Sequence, residues 1–319
     1  MKGWFIFLIT IVFLLLIMTV AIGLGSVPIS LTDVLKALIQ QGEEINQTIV
    51  WELRLPRVVL ALLVGSALGI SGSLMQGMLC NGLADPFLLG ISSGAGLAAV
   101  ILLIRGTNIH LIPLVAWLGA IGTTLLVYAL SWSANGLSIQ RLILSGVAVS
   151  AFLGSITSML LLLADDRVQI ALNWLIGSLN GRGWDEVNRI GIYVLIGILV
   201  AISLAKFLNL IGLGDEMAVG LGLSLKWIRL GIGLTAAGLT AAAVSVSGLI
   251  GFVGLVVPHL ARLLVGKDYL WVLPMSGLVG ALLLTGADTI ARLGRVELPV
   301  GAVTALIGAP FFVWLLSKR

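Results

Sequence analysis

The chain has 319 residues, of which 59% are apolar and 10% charged, with 40 glycines and a net charge of +4. That is the composition of a polytopic membrane protein, with no stretch for a separate soluble domain, so residues 1-319 are read as one transmembrane domain. The few charges stand at the ends of apolar runs, which excludes a basic nucleic-acid surface, and the lone Cys80 excludes an intramolecular disulfide or a multi-cysteine metal site.

The first run, Trp4 to Leu24, follows Lys2. It exceeds the apolar core of a signal peptide, about 7 to 15 residues, and lacks a small-x-small cleavage pattern, so it is expected to be a retained span. Leu53-Arg54-Leu55-Pro56-Arg57 opens the second, Val58 to Leu79. Pro56 suits a first helical turn, and Arg54 and Arg57, three residues apart, share a side. Two readings stand: anchors that snorkel to the interface, or a binding place for an acidic partner. The second draws support from the cost of cations at a helix N-terminus.

Gly65, Gly69, Gly72 and Gly77, with serines between them, predict close helix packing. Asp85 before Pro86 is expected to cap the next helix rather than carry protons. Spans follow at Pro86 to Ile104, Leu111 to Ala134, Leu142 to Ala164 and Ile190 to Ala205. Between the last two, Val168 to Leu179 is too short to cross, and its segment carries Trp174 and Trp184, which predicts an interfacial or partly re-entrant helix.

Gly212 to Leu225 is expected to form two short helices, the first opened by Asp215 and Glu216 and the second capped by Ser224. Ala218, Gly220 and Gly222 keep that surface low, so a partner could press closely. The run from Leu230 to Ala261 has 32 residues, too many for one crossing, and is split near Gly248 to Pro258. His259 has no second metal ligand in helical reach and is read as a packed side chain. Tyr269 to Ala287 and Leu298 to Ser317 complete ten spans, with Arg292 and Arg295 at a helix C-terminus where the dipole favours them. Four spans lie in Val58 to Ala164 and four in Leu230 to Ser317, blocks that start from opposite faces as an inverted repeat requires. Ten spans put both termini on one side. Lysines and arginines divide nine against nine between the two sides, so charge bias does not orient the chain.

There is no G-x-x-x-x-G-K-[ST], no H-E-x-x-H and no nucleophile elbow with a His and Asp to serve it, so no enzyme activity and no cofactor or metal is expected. Polar groups inside the spans are mild, Gln76, Ser145, Ser150, Ser155 and Asp288 among them, and form no charged relay for a proton-driven pump.

The blocks "LRLPRVVLALLVGSALGISGSLMQG", "LADPFLLGISSGAG", "LNLIGLGDEMAVGLGL", "GFVGLVVPHLARLLVG" and "ELPVGAVTALIGAPFFVWLL" together resemble the permease subunits of type II ABC importers for ferric siderophores, haem and cobalamin, the FecCD-type family. One departure is Asn81-Gly82, where that family shows Asn-Pro. The resemblance implies an all-α, ten-span permease in the bacterial inner membrane with cytoplasmic termini. It implies a second permease subunit, identical or related, two ATP-binding cassette subunits that hydrolyse ATP, and a periplasmic or lipid-anchored substrate-binding protein. By the same resemblance Arg54, Arg57, Arg292 and Arg295 would dock the binding protein. Gly214, Asp215, Glu216, Met217, Ala218, Gly220, Gly222 and Leu223, within the cytoplasmic segment 208-230, would couple to the ATPases. Ser138, Gln140, Ser145 and Ser150 would belong to the gate and pathway. The cargo expected first is an iron(III)-siderophore, with haem or cobalamin as alternatives and a stand-alone secondary transporter behind them.

Overall fold

The computed structural model describes residues 2–25, 27, 29–106, 108–133, 136–164, 167–294 and 296–317. The helices in chain order are α1 (Lys2–Gly23), α2 (Leu31–Leu38), α3 (Glu44–Thr48), α4 (Leu55–Met78), α5 (Ile91–Arg105), α6 (Ile112–Ser131), α7 (Ile139–Leu162), α8 (Val168–Ile176), α9 (Trp184–Ile211), α10 (Asp215–Gly220), α11 (Leu225–Ser247), α12 (Val253–Val265), α13 (Tyr269–Ala291) and α14 (Val300–Ser317). A two-residue hairpin, β1 (Trp132–Ser133) with β2 (Gly136–Leu137), joins α6 to α7. Among the described residues seven helices are long and apolar enough to cross a membrane, and α5, α12 and α14 are shorter apolar helices. Each of the ten expected spans therefore has a helical counterpart.

The long run divides where its glycines stand. Residues 248–252 are non-helical, and Gly248 has φ +71, a conformation that suits a residue without a β-carbon. The expected non-crossing helix is α8, nine residues long. Two backbone bonds tie its end to the break and to the start of α14: Ser178 N donates to Ser247 O at 2.8 Å, and Gly301 N donates to Gly177 O at 3.0 Å. In Gly212 to Leu225 the expectation is half met. Only α10 is a separate short helix; the second is the first turn of the long α11, and Ser224 makes no side-chain cap bond.

The core centres on α4, which is buried over most of its length against α9, α11, α12 and α13. Its glycines are the reason it can be. A β-carbon on Gly65 would overlap the Gly280 carbonyl of α13, one on Gly280 would overlap the Gly65 carbonyl, and one on Gly72 would overlap the Gly254 carbonyl of α12. Backbone touches backbone there, the close approach that small residues permit between helices in lipid. Hydroxyls also bridge α4 to its neighbours: Ser73 Oγ donates to Ser276 Oγ of α13 at 2.7 Å, and Ser71 Oγ lies 2.6 Å from Thr240 Oγ1 of α11. Gly72→Ala is expected to cost about 1–3 kcal/mol by forcing α4 and α12 apart. Unfolding in mixed micelles measures it, and an unchanged midpoint would show that the helices separate freely.

A second, smaller core collects Ala21, Ile22, Ile29, Val34, Ala37, Val50 and Val58 where α1 ends and α4 begins. Sequence reading missed α2, which supplies Val34 and Ala37 to it, and the neighbouring α3, both too short for a span. Ser30 caps α2 by accepting from Asp33 N at 3.2 Å, and Trp51 Nε1 donates to Ala37 O at 2.9 Å. A π-helical turn, Ile49–Arg54, then leads into α4 and carries Arg54.

Candidate functional site

Helix α1 stops at Gly23, which leaves the carbonyls of its last turn without intrahelical donors. Arginines from two other helices supply them. Arg54 Nη1 donates to Ile22 O at 2.7 Å and Gly23 O at 2.9 Å, its Nη2 donates to Val27 O, and Arg292 Nη2 donates to Ala21 O at 3.1 Å. Each guanidinium also faces the negative end of the α1 dipole. Beside them Asp288 of α13, 1% exposed, binds Arg57 through Nε at 3.0 Å and Nη2 at 3.0 Å, and pairs with Arg292 Nε at 3.2 Å. Arg57 Nη1 reaches a second carboxylate, Glu297, at 2.9 Å.

Arg54, Arg57 and Arg292 are thus brought together, as the sequence suggested, but each is more than nine-tenths buried and bonded inside the chain. Arg295 lies outside the described residues. The sequence did not reveal Asp288 as the centre of this cluster or Glu297 as its edge. One signal was available: an acidic residue within a span calls for a partner, and Arg292 follows Asp288 by four residues on the same helix face.

At the other end of α4, the segment from Gly214 to Leu223 is fixed in detail. Helix α10 ends in a Schellman turn: Leu223 N donates to Ala218 O at 3.1 Å and Gly222 N to Val219 O at 2.9 Å, with Gly222 at φ +86. Ala218 points inward and is buried. Asp215 is held by Arg229 of α11, Nη2 to Oδ1 at 2.7 Å, so it tethers α10 to the bundle. Glu216 and Gly220 are exposed, and so are the large apolar side chains of Leu213, Met217, Val219 and Leu221, each more than half exposed. Together these exposed side chains form an apolar patch with Asp215 and Glu216 beside it.

The proposed pathway residues divide. Ser138 caps α7, accepting from Arg141 N at 3.5 Å, and Gln140 beside it is exposed. Ser145 is half-buried on α7. Ser150, five residues further along α7, lies 3.3 Å from Ser93 Oγ and lines a cavity of about 480 Å³ with Asp85, Ser92, Gly146, Gly251 and Phe252. Asp85 caps the short helix that follows it, accepting from Phe87 N at 2.8 Å. Among the described residues no group of three or more His, Cys, Asp or Glu side chains is placed to hold a metal ion.

Known proteins share the sequence and the fold of this chain. The model of the FecCD transport family matches residues 11–318. The chain belongs to that family. It is 41% identical to the cobalamin import system permease protein of Halobacterium salinarum, over 91% of this chain and 79% of the relative. It is 40% identical to the Fe(3+)-citrate import system permease protein of Bacillus subtilis, over 93% and 90%, and 40% identical to the hemin transport system permease protein of Yersinia pestis, over 85% and 84%. Among solved structures, an inward-facing metal-chelate type ABC transporter superposes with a TM-score of 0.89 at 30% identity, covering 97% of this chain and 98% of that one. The family member described here is a multi-pass membrane permease, and the all-α permease fold read from its sequence stands.

Proposed function

We propose that this chain is the membrane subunit of an ATP-driven importer that carries a ferric chelate, an iron(III)-siderophore, across the bacterial inner membrane. Relatives named for ferric citrate and ferric hydroxamate support the iron reading, and those named for hemin and cobalamin keep these two as alternatives. The observation that carries the assignment to an assembly is α10: its Schellman turn and its Arg229 tether make it rigid, while its apolar face is open. A rigid knob can transmit a push, and separate ATP-binding cassette subunits are the partners that would deliver it. Helices α7 and α14 also turn large apolar side chains outward, Leu144, Phe152 and Leu162 on one and Leu306 and Val313 on the other, a surface suited to a second permease subunit.

On this reading α10 and both termini face the cytoplasm, and the arginine cluster faces the outside, where the substrate-binding protein docks. Closure of the ATPases on ATP would push α10 and bias the bundle between states open to either side, a shift of population driven by differential binding. Ser150 and the cavity beside it would form part of a mildly polar pathway wall, with Ser138, Gln140 and Ser145 nearer the cytoplasmic gate.

Uptake of labelled ferric siderophore, haem and cobalamin, compared in iron-limited cells with and without the gene, tests the proposal. Loss of ferric-chelate uptake alone is the expected result. Loss of haem or cobalamin uptake instead would overturn the cargo, and uptake that persists after ATP depletion with the ion gradients intact would overturn the ATP-driven assembly.

A further inference from the structure

Arg57 holds two carboxylates where one would satisfy its burial. Asp288 engages Nε and Nη2 in a two-point grip and lies inside α13, with its side chain 2% exposed. Glu297 takes only Nη1, and its side chain is 39% exposed. It stands on the connection before α14, at the rim of a crevice of about 670 Å³ that it lines with Asn180, Arg182 and Pro299. A molecule approaching this end of the bundle can reach Glu297 but not Asp288. An ion pair open to solvent on one side is weak and exchangeable, whereas one buried on both sides is not.

We propose that Glu297 is an internal stand-in for an acidic side chain of the docking protein, covering Arg57 Nη1 in the undocked permease and giving way when the partner's carboxylate arrives. The inference rests on the docking reading above. Of the three arginines, Arg57 is the one able to change partners, because Arg54 and Arg292 are committed to the last carbonyls of α1. Asp288 keeps the Arg57 guanidinium in place during the exchange, so the incoming acid meets a preorganised donor. Competition from Glu297 weakens docking and hastens release, which suits a delivery protein that must leave after each cargo.

The test uses the full chain in nanodiscs and Glu297→Gln, a change at a half-exposed side chain that leaves the Asp288 grip intact. Phenylglyoxal labelling, mapped by mass spectrometry, is expected to modify Arg57 about fivefold faster in E297Q, with Arg54 and Arg292 as protected as before. A fluorescent peptide of six glutamates is expected to bind E297Q about fivefold more tightly than the unmodified chain, and a six-glutamine peptide to show no such gain. Equal Arg57 labelling in the two chains overturns the stand-in itself. Faster labelling without any gain in acidic-peptide affinity overturns the docking reading on which it rests.

Discussion

Asp288→Asn is expected to destabilise the bundle by about 3–5 kcal/mol, the usual cost of removing one member of a buried ion pair. The carboxylate serves two guanidiniums at once, Arg57 through a two-point contact and Arg292 through Nε. Asparagine keeps the shape but withdraws the charge, leaving both cations buried beside Arg54 with the half-exposed Glu297 as their nearest acid. The loss spreads, because Arg292 also holds the last turn of α1 through Ala21 O. Unfolding midpoints in mixed micelles measure it. The double variant Arg57→Met with Asp288→Leu is expected to lose less than Asp288→Asn alone, since removing a cation and its anion together strands less charge. A midpoint for Asp288→Asn within about 0.5 kcal/mol of the unmodified chain would show that the cluster does not hold the three helices together.

At the other end, Met217→Asp with Leu221→Asp is expected to abolish association with the ATPase subunits and reduce uptake to background while leaving the permease folded. Both side chains are more than half exposed, so their replacement removes no internal packing. Central apolar anchors at interfaces are each worth about 2 kcal/mol or more, roughly thirtyfold in affinity, and a buried carboxylate adds an unpaired charge to that loss. Asp215→Asn is expected to behave differently: it frees α10 from Arg229 but spares the contact face, so association should persist while ATP hydrolysis and uptake become uncoupled. Co-purification and uptake measured side by side distinguish the two. Normal uptake in the double aspartate variant would remove α10 from the transmission path.

Much of the fold was legible because a bilayer leaves a chain few choices. Each backbone polar group must be satisfied within its own helix, so apolar runs of spanning length become helices, and the break between α11 and α12 falls among the glycines of the long run. Helix α8 was visible from its shortness, and α10 from its opening acids. Helices α2 and α3 were not, since eight and five residues with mixed polarity carry no spanning signal. Ser224 looked like a cap and makes no cap bond, because nothing local distinguishes a serine that bonds the backbone from one that merely precedes a helix.

The candidate site divides along the same line. The sequence by itself determined that arginines would gather at one end of the bundle and that a low, acid-led segment would lie at the other, because those properties belong to residue type and to position relative to a span. Only the tertiary structure decided what the arginines do. Asp288 and Glu297 follow Arg57 by 231 and 240 residues, and the α1 carbonyls precede Arg54 by about thirty and Arg292 by 271. A charge becomes a buried clasp or a free anchor according to which neighbours folding places around it. Here the glycine contacts of α4 with α13 draw Arg57 and Asp288 into reach, and that proximity is a property of helix packing rather than of any local stretch of the chain.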